Sequence, residues 1–199
     1  MLYNIIRFIA RVFVAIFYRV RVEGLKNVPE KGAFVLCANH TYYKDLILIG
    51  SFTPRKVYWM AKSELFRFPI FNVLIKNLGA FPVKRGAHDR ESVKIVYKVL
   101  YSGEPLGIFP EGTRVADPEN RPTFKRAYVT FAANTGAAIL PAALRYEGGP
   151  FGRGRLFSRA FLTFGEVVYL EQGRKYERSE LEELSASIMS WIHKKIISY

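Results

Sequence analysis

Ala33-Phe34-Val35-Leu36-Cys37-Ala38-Asn39-His40-Thr41-Tyr42-Tyr43-Lys44-Asp45-Leu46-Ile47-Leu48-Ile49 is the stretch that decides the fold. Residues Ala33–Ala38 form a short apolar run rich in strand-forming side chains with a Gly before it, the pattern of a buried strand. Leu46–Ile49 is a second apolar run, and Asp45 at its start suits the first turn of a short helix. His40 therefore falls where a strand passes into a helix, the end at which α/β proteins bind ligands. A His followed five residues later by an Asp can fold back on itself across such a turn. The carboxylate then accepts the imidazole N–H, fixes the tautomer and leaves the other ring nitrogen as a general base. The same residues also fit a plainer arrangement, a His closing a strand and an Asp capping a helix. Alternation along the strand sends Cys37 and Asn39 one way and Ala38 and His40 the other. That argues against a Cys–His nucleophilic pair and leaves Cys37 as a packing residue.

With 199 residues the chain is expected to form one domain with a sizeable core. Hydrophobic residues make up 50% of it and aromatics 15%, so some apolar surface is expected to face a partner. Thirty Lys and Arg against 17 Asp and Glu give a net charge of +13 and a pI near 9.9, which points to an anionic partner. The single Cys excludes an intramolecular disulfide and fits a reducing compartment.

Residues 1–20 are expected to form a separate amphipathic, membrane-associating helix, and residues 21–199 the catalytic domain. Arg7, Arg11 and Arg19 interrupt the apolar N-terminus, and the charge-free run Val12–Tyr18 falls far short of the ~20 residues that span a bilayer. Asn4, Arg7, Arg11 and Tyr18 share one side at helical spacing, while Leu2, Ile5, Ile6, Ile9, Phe13, Ile16 and Phe17 cover much of the rest. An Arg-striped apolar helix of this kind suits an in-plane anchor, though a helix docked on the protein's own core shows the same pattern. No charged start precedes an uninterrupted apolar run, so a secretory signal fits poorly.

Further strands are expected at Arg21–Glu23, Val57–Ala61, Ala80–Val83, Pro105–Phe109, Ile139–Tyr146, Ala160–Phe164 and Val167–Leu170. Pro82 suggests an edge strand or a strand end. Helices are expected from Pro69, over His88–Tyr101, over Thr123–Thr135 and over Glu180–Ile197. Ser63 suits the cap of a short turn, and Ser179 with Glu182 a capping box for the last helix. Alternation of strands and helices without a linker predicts a single α/β domain, with a largely parallel or mixed sheet flanked by helices. Charged residues close several strands: His40 and Asp45, Lys62, Lys84 and Arg85, Glu111 and Arg114. Parallel neighbours would bring these ends to one rim, setting a general base among cations suited to a phosphate-bearing substrate. The planar fork of Arg matches phosphate oxygens in particular.

Four blocks in order now carry a resemblance: Asn39-His40-x4-Asp45, Gly79-Ala80-Phe81-Pro82-Val83-Lys84-Arg85, Phe109-Pro110-Glu111-Gly112-Thr113-Arg114, and Ile139-Leu140-Pro141-Ala142. Together with Glu23–Pro29 they resemble the 1-acylglycerol-3-phosphate acyltransferases, the lysophosphatidate acyltransferases, over roughly residues 20–170. The resemblance implies transfer of a fatty acyl group from a thioester to the sn-2 hydroxyl of 1-acylglycerol-3-phosphate, giving phosphatidic acid without an acyl-enzyme. It makes His40 the base and Asp45 its orienting acid. It gives the acceptor phosphate to Arg85 and Arg114, with Lys62 as a third cation. Glu111, Gly112 and Thr113 would shape the acceptor pocket, Glu111 either touching the glycerol part or stabilising its loop. No cofactor or metal is implied. The expected partners are an anionic membrane surface, a lysophospholipid acceptor, and acyl-CoA or acyl carrier protein as donor. The implied location is the cytoplasmic side of the cell membrane, held peripherally or monotopically. Tyr42 and Lys84 depart from small and acidic residues common in the family, which leaves another lysolipid headgroup open.

Two other classes compete. A basic membrane- or nucleic-acid-binding module fits the charge, but no RNA-recognition, zinc-finger or K-homology motif is present, so no nucleic-acid partner is expected. A thioester hydrolase would use the same dyad on water. His88 and His193 lie apart from His40 with no metal-ligand spacing.

Overall fold

The computed structural model describes residues 2–83, 89–115, 124–147 and 158–197. Lys84, Arg85 and His88, the polar loop 116–123 and the glycine-rich loop 148–157 lie outside the described residues. Among the described residues the chain forms α1 (Leu2–Phe17), β1 (Tyr18–Glu23), β2 (Phe34–Ala38), α2 (Asp45–Phe52), β3 (Tyr58–Lys62), α3 (Pro69–Asn77), β4 (Ala80–Val83), α4 (Arg90–Tyr101), β5 (Leu106–Ile108), α5 (Ala127–Thr135), β6 (Ala138–Glu147), β7 (Ser158–Phe164) and α6 (Arg178–Ile197). This is a single α/β domain built on one mixed sheet.

The strand order is β1-β7-β6-β2-β5-β3-β4. Neighbours run parallel except β6 and β7, which are antiparallel. β2 is central because every one of its residues is apolar, and all five are buried. A strand covered on both faces needs no polar alternation. Val35 and Cys37 pack with β5, α4, α5 and α6, against Leu106, Val96, Tyr128, Val129, Met189 and Ile192. Phe34, Leu36 and Ala38 pack on the opposite face with Leu48 and Ile49 of α2, Val14 of α1 and Trp59. Burying each such Leu, Ile or Phe stabilises by about 1.5–3 kcal/mol, so β2 anchors both layers. Pro82 lies in β4, the strand that ends the sheet, where a missing N–H leaves no ladder bond unmade.

Several local expectations are corrected. The first helix ends at Phe17 rather than Val20, because Tyr18–Glu23 alternates and pairs along its whole length with β7. Val167–Leu170 is not a strand; only Val168 makes a single bridge, to Ile139. α6 begins at Arg178, so Ser179 is inside it, and the Glu180 carboxylate rather than a Ser179 box receives the Glu177 N–H at 2.8 Å. α4 begins at Arg90 behind Asp89, whose carboxylate accepts the Ser92 N–H at 3.1 Å. Ser63 is the first residue of a 3₁₀ turn, its hydroxyl directed to Glu64, and not its cap. α5 begins at Ala127 behind Arg126, so Phe124–Arg126 stand outside the expected helix, and Thr123 lies outside the described residues.

α1 is docked by its polar side. Arg7 donates to the carbonyls of Thr53 at 2.7 Å, Pro54 at 3.2 Å and Ser51 at 3.4 Å, all at the C-terminal end of α2. A guanidinium there meets carbonyls of the last turn and of the two residues after it, at the negative end of the helix dipole. Arg11 lies 5.8 Å from the Phe52 ring centre. Among the described residues no helix is long and apolar enough to cross a membrane. Arg7→Ala is expected to lower the unfolding free energy by about 1–2 kcal/mol, with Arg7→Lys recovering only part because it loses the fork. Urea titration of the three proteins measures this, and equal midpoints would show that Arg7 does not cap α2.

Candidate active site

Parallel pairing brings the ends of β2, β5, β3 and β6 to one rim of the sheet. β6 outruns β2: Ala38, the last residue of β2, pairs with Ala142, and β6 continues to Glu147. The overhang stands beside the loop that carries His40. Asn39 uses it to leave the ladder. Its amide donates to the Leu144 carbonyl at 2.8 Å, and its side-chain oxygen accepts the Leu144 N–H at 2.8 Å. A side chain here replaces one more backbone pairing, which frees the main chain to turn.

The turn is closed by Asp45, which is fully buried. Its Oδ2 accepts the Thr41 N–H at 2.6 Å and the Tyr42 N–H at 2.8 Å, and lies 2.9 Å from His40 Nδ1. Its Oδ1 accepts the Tyr146 hydroxyl at 2.7 Å. A carboxylate facing Nδ1 makes that nitrogen the donor and leaves Nε2 with its lone pair. The imidazole keeps 12% of its surface exposed.

A second loop holds the backbone of His40. Its N–H donates to Glu111 Oε2 at 2.9 Å, and its carbonyl accepts the Val115 N–H at 2.7 Å. Glu111 is buried, so its carboxylate serves the loop. Gly112, at φ 67°, turns that loop in a region that only glycine enters without strain. The His40 ring stacks on Phe109 at 4.1 Å and 12°, and Phe109 stacks on Trp59 at 5.0 Å and 19°. Gly107 permits the stack, because a Cβ there would sit 2.4 Å from the Trp59 ring.

The other expected site residues fall as follows. Thr113 and Arg114 are exposed on the Glu111 loop, and the Arg114 guanidinium lies 3.6 Å from the Tyr43 ring centre. Lys62 ends β3 at the same rim and pairs with Glu64 at 3.1 Å. Arg85 lies outside the described residues. Cys37 packs into the core on the face away from the α2 layer, and burial pushes its thiol far up, so it is no nucleophile.

Sequence reasoning missed Tyr146, Asn39 as a strand substitute and the Phe109–Trp59 stack. Tyr146 left one signal: an aromatic residue with a polar tip among charges, Arg145-Tyr146-Glu147, at the end of an apolar strand. Lys44, next to Asp45 in the chain, is held among the rings of Tyr18, Tyr42 and Tyr146. Burial lowers its ammonium to about 8, against the pull of Asp45 in the opposite direction.

Comparison with known proteins bears on this rim. A family model described as Acyltransferase matches residues 19–145. The chain is 36% identical over 153 residues to a 1-acyl-sn-glycerol-3-phosphate acyltransferase of Bacillus subtilis, covering 75% of this chain and 74% of that protein. It is 30% identical over 181 residues to the protein of the same name from Borreliella burgdorferi, covering 89% and 72%. The crystal structure of the 1-acyl-sn-glycerophosphate acyltransferase of Thermotoga maritima superposes with a TM-score of 0.76 at 27% identity, covering 97% of this chain and 77% of that one.

Asn39→Ala leaves a buried N–H and a buried carbonyl of Leu144 without partners. The expected cost is about 2–6 kcal/mol, since each of the two orphaned groups costs about 1–3. Chemical denaturation measures it, and a loss below about 0.5 kcal/mol would mean that water replaces the amide.

Proposed function

Because the chain belongs to the acyltransferase family, we propose that it moves a fatty acyl group from an acyl thioester to the sn-2 hydroxyl of 1-acylglycerol-3-phosphate, giving phosphatidic acid. The observation that carries this reading is the His40–Asp45 pair at 2.9 Å on the rim where β2 ends. His40 Nε2 takes the proton of the acceptor hydroxyl while its oxygen attacks the thioester carbonyl. The C–O bond forms, the C–S bond breaks, and the proton passes from His40 to the departing sulfur. Asp45 keeps Nδ1 as donor and stabilises the imidazolium that forms in between. General base catalysis supplies about 10²–10⁴-fold, and orientation of the acceptor much of the remainder. Arg114, Arg85 and Lys62 hold the acceptor phosphate, and Glu111, Gly112 and Thr113 shape the acceptor pocket, with Glu111 also accepting the His40 N–H. The N–H groups of Thr41 and Tyr42 are spent on Asp45 and do not bind the oxyanion. The donor is acyl-CoA or acyl carrier protein, and no cofactor is needed.

Such an enzyme meets its acceptor at a bilayer. Helix α1 turns Arg7 toward α2 and leaves Phe8, Ile9, Val12, Phe13, Ile16 and Phe17 exposed, Phe8 by 68%. An exposed apolar helix face on a chain of net charge +13 suits peripheral attachment to an anionic, cytoplasmic membrane surface. Each Lys or Arg near that surface adds about 1 kcal/mol.

His40→Ala is expected to lose at least about 100-fold in kcat on lysophosphatidate in liposomes, with either donor, at unchanged vesicle binding. Retained turnover would remove His40 as the base. Free fatty acid released regardless of acceptor would make the protein a hydrolase. Phe8→Asp with Phe13→Asp is expected to reduce sedimentation with phosphatidylglycerol vesicles by about tenfold or more. Unchanged sedimentation would show that α1 is not the attachment face.

A further inference from the structure

Tyr146 and Lys44 form a cluster behind the dyad that acyl transfer, as described above, does not use. Lys44 Nζ lies 4.3 Å from the Tyr146 ring centre, 4.4 Å from that of Tyr18 and 5.2 Å from that of Tyr42. It donates to the Tyr18 hydroxyl at 3.2 Å. Tyr42 packs edge-on against Tyr146 at 5.1 Å and 67°. Burial and the Asp45 charge both push the Tyr146 phenol far up, so its hydroxyl stays a donor.

Topology explains why these residues meet. β7 runs against β6 and β1 runs with β7, so β1 begins at the rim where β2 and β6 end. Its first residue is Tyr18, which directly follows α1. The cluster therefore joins the foot of α1, the His40 loop and the overhang of β6.

Asp45 shows what the cluster does. Its Oδ2 gathers the Thr41 and Tyr42 N–H groups and His40 Nδ1, which pins one oxygen. Rotation of the carboxylate about its last torsion is soft and carries both oxygens together. A buried Oδ1 without a donor would draw the group round toward another one, and the Tyr146 hydroxyl at 2.7 Å removes that pull. A packing role would need only the ring, which Phe would supply.

We propose that Tyr146 is a positioning residue for acyl transfer: its hydroxyl fixes the plane of Asp45 and thereby the His40 imidazole. Lys44 holds the Tyr146 ring in place against Tyr18. The proposal rests on the acyltransferase reading for its kinetic consequence but not for its structural one.

Tyr146→Phe keeps the ring and removes the hydroxyl. We expect kcat on lysophosphatidate to fall about tenfold with KM for acceptor and donor within about twofold, since one charge-assisted hydrogen bond is lost. The His40 Nδ1 proton resonance in ¹H NMR of the free protein is expected to move. Wild-type kcat in an active enzyme, or an unmoved resonance, overturns the proposal. Because the resonance is read without substrate, failure of the acyltransferase reading is told apart from failure of the positioning role. Lys44→Met is the second variant, with the hydroxyl kept and the cation removed. A fall in kcat of about threefold, at unchanged KM and with the same resonance shifted less, supports the clamp. Wild-type kcat and an unmoved resonance in Lys44→Met overturn it.

Discussion

A buried carboxylate receiving four hydrogen bonds is the constraint on which the rim depends. Asp45 is fully buried from bulk solvent, so its charge is tolerable only while His40, Thr41, Tyr42 and Tyr146 point at it. Those donors come from the loop after β2 and from the far end of β6. Folding the loop and seating the imidazole are then one event: a loop that let go of Asp45 would strand a charge in the interior. The dyad is oriented before any substrate arrives.

Two features of the sheet make this possible. β6 is longer than β2, and its overhang supplies Leu144 to Asn39 and Tyr146 to Asp45. β5 ends beside β2 and sends Phe109 under the imidazole, with Glu111 and Val115 gripping its backbone from both sides. His40 is thus held at its ring face, its Nδ1, its N–H and its carbonyl, which leaves Nε2 for chemistry. The stack continues to Trp59, whose close approach to β5 is allowed because residue 107 has no side chain. Helix α1 enters the same arrangement from outside. Arg7 ties it to the end of α2, the helix that Asp45 begins, and Tyr18 at its foot meets Lys44.

Much of this was legible in the sequence where the signal was local. Five residues separate His40 from Asp45, so one turn joins them, and the apolar run before them reads directly as a buried strand. The mixed α/β sheet follows from the alternation of elements. Tyr146 was illegible because it is 101 residues from Asp45. Placing it requires the β2–β6 register and the length of the overhang, which no local pattern encodes. The end of the first helix was misplaced for a similar reason: Tyr18–Glu23 becomes a strand only when β7 is there to pair with it. Val167–Leu170 has strand-like residues, but only Val168 finds a partner. Glu111 was left between two roles by its motif, and the structure gives its carboxylate to the His40 N–H.

The tautomer of His40 is the most direct test of the central claim, because every contact at Asp45 serves to put the proton on Nδ1. A ¹⁵N–¹H long-range correlation spectrum of the histidine-labelled protein at neutral pH reads it. The account predicts that the neutral form of the ring carries its proton on Nδ1 and leaves Nε2 unprotonated. A neutral ring protonated at Nε2 would contradict it.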